Sequence, residues 1–284
     1  MTGRPWPSAV AKGPWNVGRA RKPRRAVWTQ TATETRMPSL LRLFFLCLTL
    51  VVPDIAQAAS ATVIGYHRFD GHRSSMSMPM DVFEAHLKYL KENANVLSMD
   101  EFAGYIARGE SFPPRTVVIT IDDGWSSVMQ AFELLKKYDL PFTLFLPMAY
   151  MANPASKASL SAADIEKLKA WPKVTFADHS FSHSTRLQVS KHGSRDAYLA
   201  FLRSDLSASR KRFFEIFGSY PKYYAYPYGH GNDVFGELLA QNGYQLMFVT
   251  GYRPFDGNVN PRAIPRLGGH AVSVQKLKEI VETY

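Results

Sequence analysis

The run VVITIDDGWSS, residues 117–127, ends a greasy stretch with two adjacent carboxylates, Asp122 and Asp123, and then Gly124. Like charges placed side by side at the end of a buried strand need either solvent or a counter-charge. One reading has one Asp cap the helix that starts near Ser126 while the other is solvated. The other reading supplies a cation. Alternate strand residues point to opposite faces, so both carboxylates can turn to one place only if the chain bends after them, which Gly124 permits.

A second stretch, DHSFSH, sets His179 and His183 four residues apart directly after another strand-like run, KVTFADHS. Because a strand precedes them, a loop rather than a helix face must bring the two rings together. Two surface histidines alone need no ligand role. With a carboxylate at a neighbouring strand end, one Asp and two His make an ordinary facial set for a divalent ion that keeps open positions for water. A third stretch, KYYAYPYGHGN, carries Tyr226 and Tyr228 around Pro227. Aromatic rings line sugar clefts because a pyranose has an apolar face, and they also fill ordinary cores. Trp125, Tyr226 and Tyr228 are the candidate substrate-contacting rings, and the backbone N–H groups of the Pro227-Tyr228-Gly229 turn could face a reacting carbonyl.

These stretches stand at the ends of strands in an alternating pattern. ATVIGYHRF, NVLSM, RTVVITI, PFTLFLPMAYM, KVTFADHS, KYYAYPYG, YQLMFVTGY and AIPRLG read as strands. Segments of helical period separate them, such as DVFEAHLKYLKENA with Phe83, Leu87 and Leu90 on one face, and DEFAGYIARGE, which Asp100 is placed to cap. Strand and helix alternating seven or eight times predict an α/β chain with a parallel sheet in one domain, a single distorted (β/α)7–8 barrel, closed or incomplete. In such barrels the active site lies where strands end and loops to helices begin. All three stretches sit there.

The net charge of +10 suggests nucleic-acid binding until its location is considered. Residues 1–58 hold nine Lys or Arg and two Asp or Glu, leaving 34 − 9 = 25 basic and 24 − 2 = 22 acidic residues from Ala59 onward. That near-neutral remainder lacks the clustered Lys and Arg that phosphate binding needs, so a nucleic-acid binder is unsupported. From Met37, a positive start at Arg42, an apolar run from Leu43 to Val52 and the small residues Ala56 and Ala58 form a secretory signal, cleaved after Ala58. The run is too short to span a bilayer, which takes about 20 apolar residues. Membrane contact is therefore expected only in transit, and export to the periplasm or the extracellular space. The expected organisation is a basic extension over 1–36, a signal peptide over 37–58 and a catalytic domain over 59–284. Residues 1–36 are either a long basic leader or an upstream extension from a mis-assigned start; Met37, which opens a signal of ordinary proportions, favours the second. The single cysteine, Cys47, lies in the signal, so the mature chain uses no disulfide.

TIDDG, HSFSH and YPYG, in that order and at those strand ends, resemble the NodB-like polysaccharide deacetylases, a family of metal-dependent carbohydrate esterases. The resemblance covers essentially the whole mature chain. It implies hydrolysis of the N-acetyl groups of N-acetylglucosamine polymers. Asp122 matches the family's general base, and Asp123, His179 and His183 match its metal ligands. A bound zinc ion would lower the pKa of its water from about 16 towards about 7. The metal and the backbone N–H of Tyr228 are the expected oxyanion donors. Cobalt or nickel would suit the same ligands.

Two departures stand out. Many members carry an arginine just before the proline-aromatic-glycine turn, which orients the base; here Ala225 and Tyr226 occupy that stretch, and Arg266, on the last strand, is the candidate replacement. The general acid is usually a histidine after an apolar residue near the C-terminus, whereas His270 follows two glycines; His67, at the end of the first strand, is the alternative. The AYPYG form leans towards the branch that deacetylates poly-β-1,6-N-acetylglucosamine of biofilm matrix. Chitin- or peptidoglycan-type deacetylation is the alternative substrate reading, and an inactive secreted carbohydrate-binding module is the non-enzymatic one.

Overall fold

Among the residues described, 60–69, 75–251, 253–256 and 260–283 of a computed structural model, eight strands alternate with seven α-helices, except that the eighth strand follows the seventh with no α-helix described between them. The expected extension, signal peptide and Cys47 lie outside these residues. The strands are β1 (Ala61–Tyr66), β2 (Asn95–Val96), β3 (Thr116–Asp122), β4 (Phe142–Leu146), β5 (Val174–Asp178), β6 (Tyr223–Ala225), β7 (Leu246–Thr250) and β8 (Ile264–Gly268). The helices are α1 (Met80–Asn93), α2 (Met99–Arg108), α3 (Val128–Lys137), α4 (Ala162–Lys169), α5 (Arg195–Phe217), α6 (Asp233–Gln241) and α7 (Val274–Thr283). No helix among them is long and apolar enough to cross a membrane.

All pairings between these strands are parallel, and β1 sits between β3 and β8. That placement closes a seven-stranded barrel from β1, β3, β4, β5, β6, β7 and β8, with the short β2 added beside the start of β3. The closure is uneven. β1 and β3 pair over six residues, from Ala61 opposite Thr116 to Tyr66 opposite Ile121, whereas β5 and β6 share the single pair Asp178–Tyr224 and β1 and β8 share two. The expected (β/α) barrel is thus closed and distorted.

Period-2 alternation sorts the strand residues into two layers. Val63, Val118, Phe145, Ala177, Tyr223, Ala225, Phe248 and Ile264 fill the barrel interior, which Met99 and Phe102 of α2 help to close with Phe112 and Phe255. The intervening residues, such as Ile64, Ile119, Ile121 and Leu144, pack outward against α1, α3 and α7. Carried one step beyond the apolar layers, the inward parity places His67 after β1, Asp122 at the end of β3, His179 after β5 and Arg266 in β8 at one mouth of the barrel. Asp100 does not cap α2: Ser98 does, in a capping box with Glu101, and Asp100 instead accepts a hydrogen bond from the Tyr223 hydroxyl.

Candidate functional site

Asp122 is buried at the end of β3, at 2% exposure. The Arg266 guanidinium meets it with two parallel hydrogen bonds, Nη1 to Oδ1 at 2.7 Å and Nη2 to Oδ2 at 2.6 Å, and Nη1 also donates to Thr120 Oγ1 at 3.2 Å. Burial alone would raise the Asp122 carboxyl, but the Arg266 charge, with smaller contributions from His179 and His67, overcomes it and holds the group below its usual range. Arg266 therefore answers half of the charge problem that the adjacent aspartates pose.

Asp123 turns the other way because the chain bends there. Asp123 and Gly124 both adopt left-handed backbone, with φ of 68° and 60°. At Gly124 a Cβ would lie 2.7 Å from Met151 Sδ and 2.8 Å from Leu146, so only glycine fits the bend. Neither aspartate caps α3, whose N-cap is Ser127. Asp123 Oδ1 instead points at the two histidines, 3.5 Å from His179 Nε2 and 3.3 Å from His183 Nε2.

The donor set fits a divalent cation. One ligand atom from each of Asp123, His179 and His183 lies within 4.8 Å of the others. His179 Nδ1 is 2.7 Å from the Ala225 carbonyl oxygen, which can only accept, so Nδ1 carries the proton and Nε2 presents a lone pair. Asp123 Oδ1 is buried and has no hydrogen-bond donor, while Oδ2 accepts from Trp125 Nε1 at 3.1 Å. Burial disfavours charge on Asp123, yet the neighbouring histidines hold its carboxyl far below the usual range. Burial likewise lowers His179, and Asp122 and Asp123 more than reverse it. The site is built for positive charge between these groups.

The two candidate proton donors are separated by their placement. His67 Nε2 lies 3.7 Å from Asp122 Oδ2. His270 lies in a short turn after β8, its ring centroid 5.7 Å from that of His67. Burial lowers both imidazoles, and at His67 the pull of Asp122 and Asp123 offsets part of it.

Of the three candidate rings, Tyr228 is exposed at the site. Its hydroxyl donates to the His183 carbonyl at 3.0 Å and its ring centroid lies 4.8 Å from that imidazole. Its own backbone is left-handed, φ 60°, within the Pro227–Gly229 turn. Trp125 has its N–H committed to Asp123 and the Arg68 guanidinium 4.3 Å from its ring centre, so it orients that carboxylate and has one face of its ring covered by a cation. Tyr226 is not in the site. Ala225 takes the inward position, so Tyr226 faces outward, 1% exposed, among Tyr224, Phe235 and Leu239 with its hydroxyl on the Arg262 carbonyl.

Sequence reasoning missed the support beneath the histidines. Asp205 of α5 bonds the loop between them, and Asp178, on the outward face of β5, accepts from Ser209 Oγ and the Tyr244 hydroxyl. Burial pushes Asp178 up to about 6 despite those two bonds. These residues belong to no local motif, because each pairing joins separate segments: Asp205 and Ser209 lie on α5, and Tyr244 lies between α6 and β7.

The polysaccharide deacetylase family model matches residues 109–247. Over 195 residues the chain is 28% identical to the poly-beta-1,6-N-acetyl-D-glucosamine N-deacetylase of Staphylococcus aureus strain MRSA252, an alignment that spans 67% of each chain. Among solved structures, IcaB from Ammonifex degensii shares the fold with a TM-score of 0.68 at 23% identity, covering 80% of this chain and 98% of that one. A de-N-acetylase from Aggregatibacter actinomycetemcomitans does so with a TM-score of 0.67 at 18% identity, covering 78% and 99%.

Proposed function

We propose, for a chain that belongs to the polysaccharide deacetylase family, that it removes acetyl groups from poly-β-1,6-linked N-acetylglucosamine in a metal-dependent reaction at the mouth of the barrel. The observation that carries the mechanism is the division of labour between the adjacent aspartates: Arg266 holds Asp122, and His179 and His183 face Asp123. The lean towards the β-1,6 linkage is supported by the relative from S. aureus and by the YPYG form of the turn.

Asp123, His179 and His183 would hold a divalent ion, zinc by the chemistry of the set, with cobalt and nickel compatible. Such an ion supplies the positive charge that acidifies a water and polarises the amide carbonyl. Asp122, kept ionised by Arg266, takes the proton from the attacking water. Arg266 fixes both carboxylate oxygens and so aims the base. His67, beside Asp122, gives a proton to the leaving amine; His270 lies against His67 with no contact to Asp122 of its own among the described residues. The turn at Tyr228 presents its N–H as the oxyanion donor, and its exposed ring offers a face to the sugar.

Acetate release from β-1,6- and β-1,4-linked N-acetylglucosamine oligomers tests this. Release from the β-1,6 series that stops on metal removal, returns with zinc and is lost in Asp122→Asn is the expected result. Equal release without metal would remove the proposed mechanism, and preference for the β-1,4 series would remove the linkage. Export after cleavage at Ala58 is part of the same reading; N-terminal sequencing of the released protein should begin at Ala59.

A further inference from the structure

We propose that Asp205, which touches neither the reacting groups nor a ligand side chain, positions His183 for metal binding by setting the backbone between the two histidines; this rests on the metal site proposed above. His179 is fixed by its place directly after β5 and by its bond to the Ala225 carbonyl. His183 has no strand to hold it. The loop that delivers it places Ser180 at φ 74° and His183 at φ 48°, left-handed conformations that side chains disfavour and that persist only where the surroundings impose them.

Asp205 supplies that imposition. From α5 its Oδ2 accepts the Phe181 N–H at 3.0 Å, and its Oδ1 accepts both the Ser182 N–H at 3.1 Å and the Ser182 hydroxyl. The carboxylate is 7% exposed. The loop's other anchors are neutral: the Met148 and Ala149 N–H groups donate to the Ser180 and Phe181 carbonyls at 2.9 and 3.0 Å, Ser180 Oγ accepts from the His183 N–H at 2.9 Å, the Tyr150 hydroxyl donates to the Ser182 carbonyl at 3.2 Å, and Tyr228 donates to that of His183. The Asp205 carboxylate takes three of the loop's bonds, where Ser180, Tyr150 and Tyr228 each supply one. Two consecutive N–H groups gripped by one carboxylate fix the Ser180–Phe181 and Phe181–Ser182 peptides, the two that precede the peptide into His183.

Metal affinity, not activity, is the decisive readout. In the full chain at 25 °C, zinc is titrated in competition with a chromophoric chelator, and the visible spectrum of the cobalt-loaded protein reports ligand geometry. Asp205→Asn keeps the shape but points an NH2 group at a donor; it should weaken zinc by roughly 10- to 100-fold and alter the cobalt spectrum. Ser182→Ala, which leaves the two backbone bonds, should weaken it less. Unchanged affinity and spectrum in Asp205→Asn, with only a lower apo Tm, would reduce Asp205 to a fold support and overturn the proposal. Should Asp205→Asn fail to fold, Asp205→Glu, which keeps the charge but displaces its oxygens from the two N–H groups, decides: weaker zinc binding with an altered cobalt spectrum upholds the positioning role and unchanged binding overturns it. If the unsubstituted chain binds no metal, the proposed metal site itself is wrong, an outcome separate from either of these.

Discussion

Arg266 on β8 and Asp122 on β3 are 144 residues apart in sequence and are joined by two parallel hydrogen bonds over the intervening strand β1, where Gly65 lies beside the guanidinium. Both side chains are buried. Removing the cation leaves a buried carboxylate without its partner, so Arg266→Ala should destabilise the fold by about 3 kcal/mol or more in denaturant titrations. Arg266→Lys keeps a charge but loses the fork, and should lower kcat by roughly 10- to 100-fold. Because Arg266 holds the Asp122 carboxyl down, its loss raises that pKa. The acid limb of the pH–rate profile should move to higher pH in both variants.

His67 and His270 should separate in single substitutions. His67→Ala is expected to lower kcat by roughly 100-fold or more while zinc content stays at the unsubstituted level. His270→Ala should cost less. The reverse order would transfer the acid role to His270, and full activity in both variants would take histidine out of it.

The two tyrosines of YPYG should behave oppositely. Tyr226→Phe removes one buried hydroxyl that bonds the Arg262 carbonyl, and should cost about 1 kcal/mol of stability with kcat/KM unchanged. Tyr228→Ala should barely move Tm but raise KM by roughly three- to tenfold, equivalent to about 1 kcal/mol of sugar contact. A KM effect at Tyr226 would contradict its outward placement.

His86 gives the fold a pH dependence that is independent of the site. It is fully buried on α1, its Nδ1 3.0 Å from the Tyr66 hydroxyl on β1. Burial, opposed in part by the Val272 backbone, brings its pKa down from 6.5 to about 4. Between those values the unfolded chain binds a proton that the folded chain refuses, so stability is present above the unfolded pKa and is lost as pH falls towards about 4. The loss is on the order of 2–3 kcal/mol. Denaturant titrations at pH 7 and pH 4.5 should show a steeper decline for the native chain than for His86→Gln, whose side chain does not titrate.

Much of the site was legible because its chemistry sits at strand ends. The pairs Asp122-Asp123 and His179/His183 announce themselves by residue type, and the alternation of strands and helices brings those ends to one barrel mouth. Arg266 was legible only as the basic residue left on the last strand, since sequence distance hides a pairing over β1. Tyr226 was misread because aromatic composition carries no parity; counting inward positions from Tyr223 and Ala225 would have turned it outward. The α2 cap was also readable, since Ser98 and Glu101 have capping-box spacing and Asp100 does not. Asp205 had no signal at all, being one acidic residue in a long polar helix whose partners are backbone N–H groups from another segment.

The placement of β1 between β3 and β8 has a consequence for the order in which the molecule assembles. A growing chain that has not yet produced Ile264–Gly268 can pair β1 with β3, but it keeps the other edge of β1 unzipped and leaves Asp122 without its cation. The last strand to be made is thus both the stave that shuts the barrel and the carrier of the guanidinium that makes the buried carboxylate tolerable. Until that stave docks, no guanidinium offsets the cost of burying Asp122, which ties completion of the fold and completion of the base to one event.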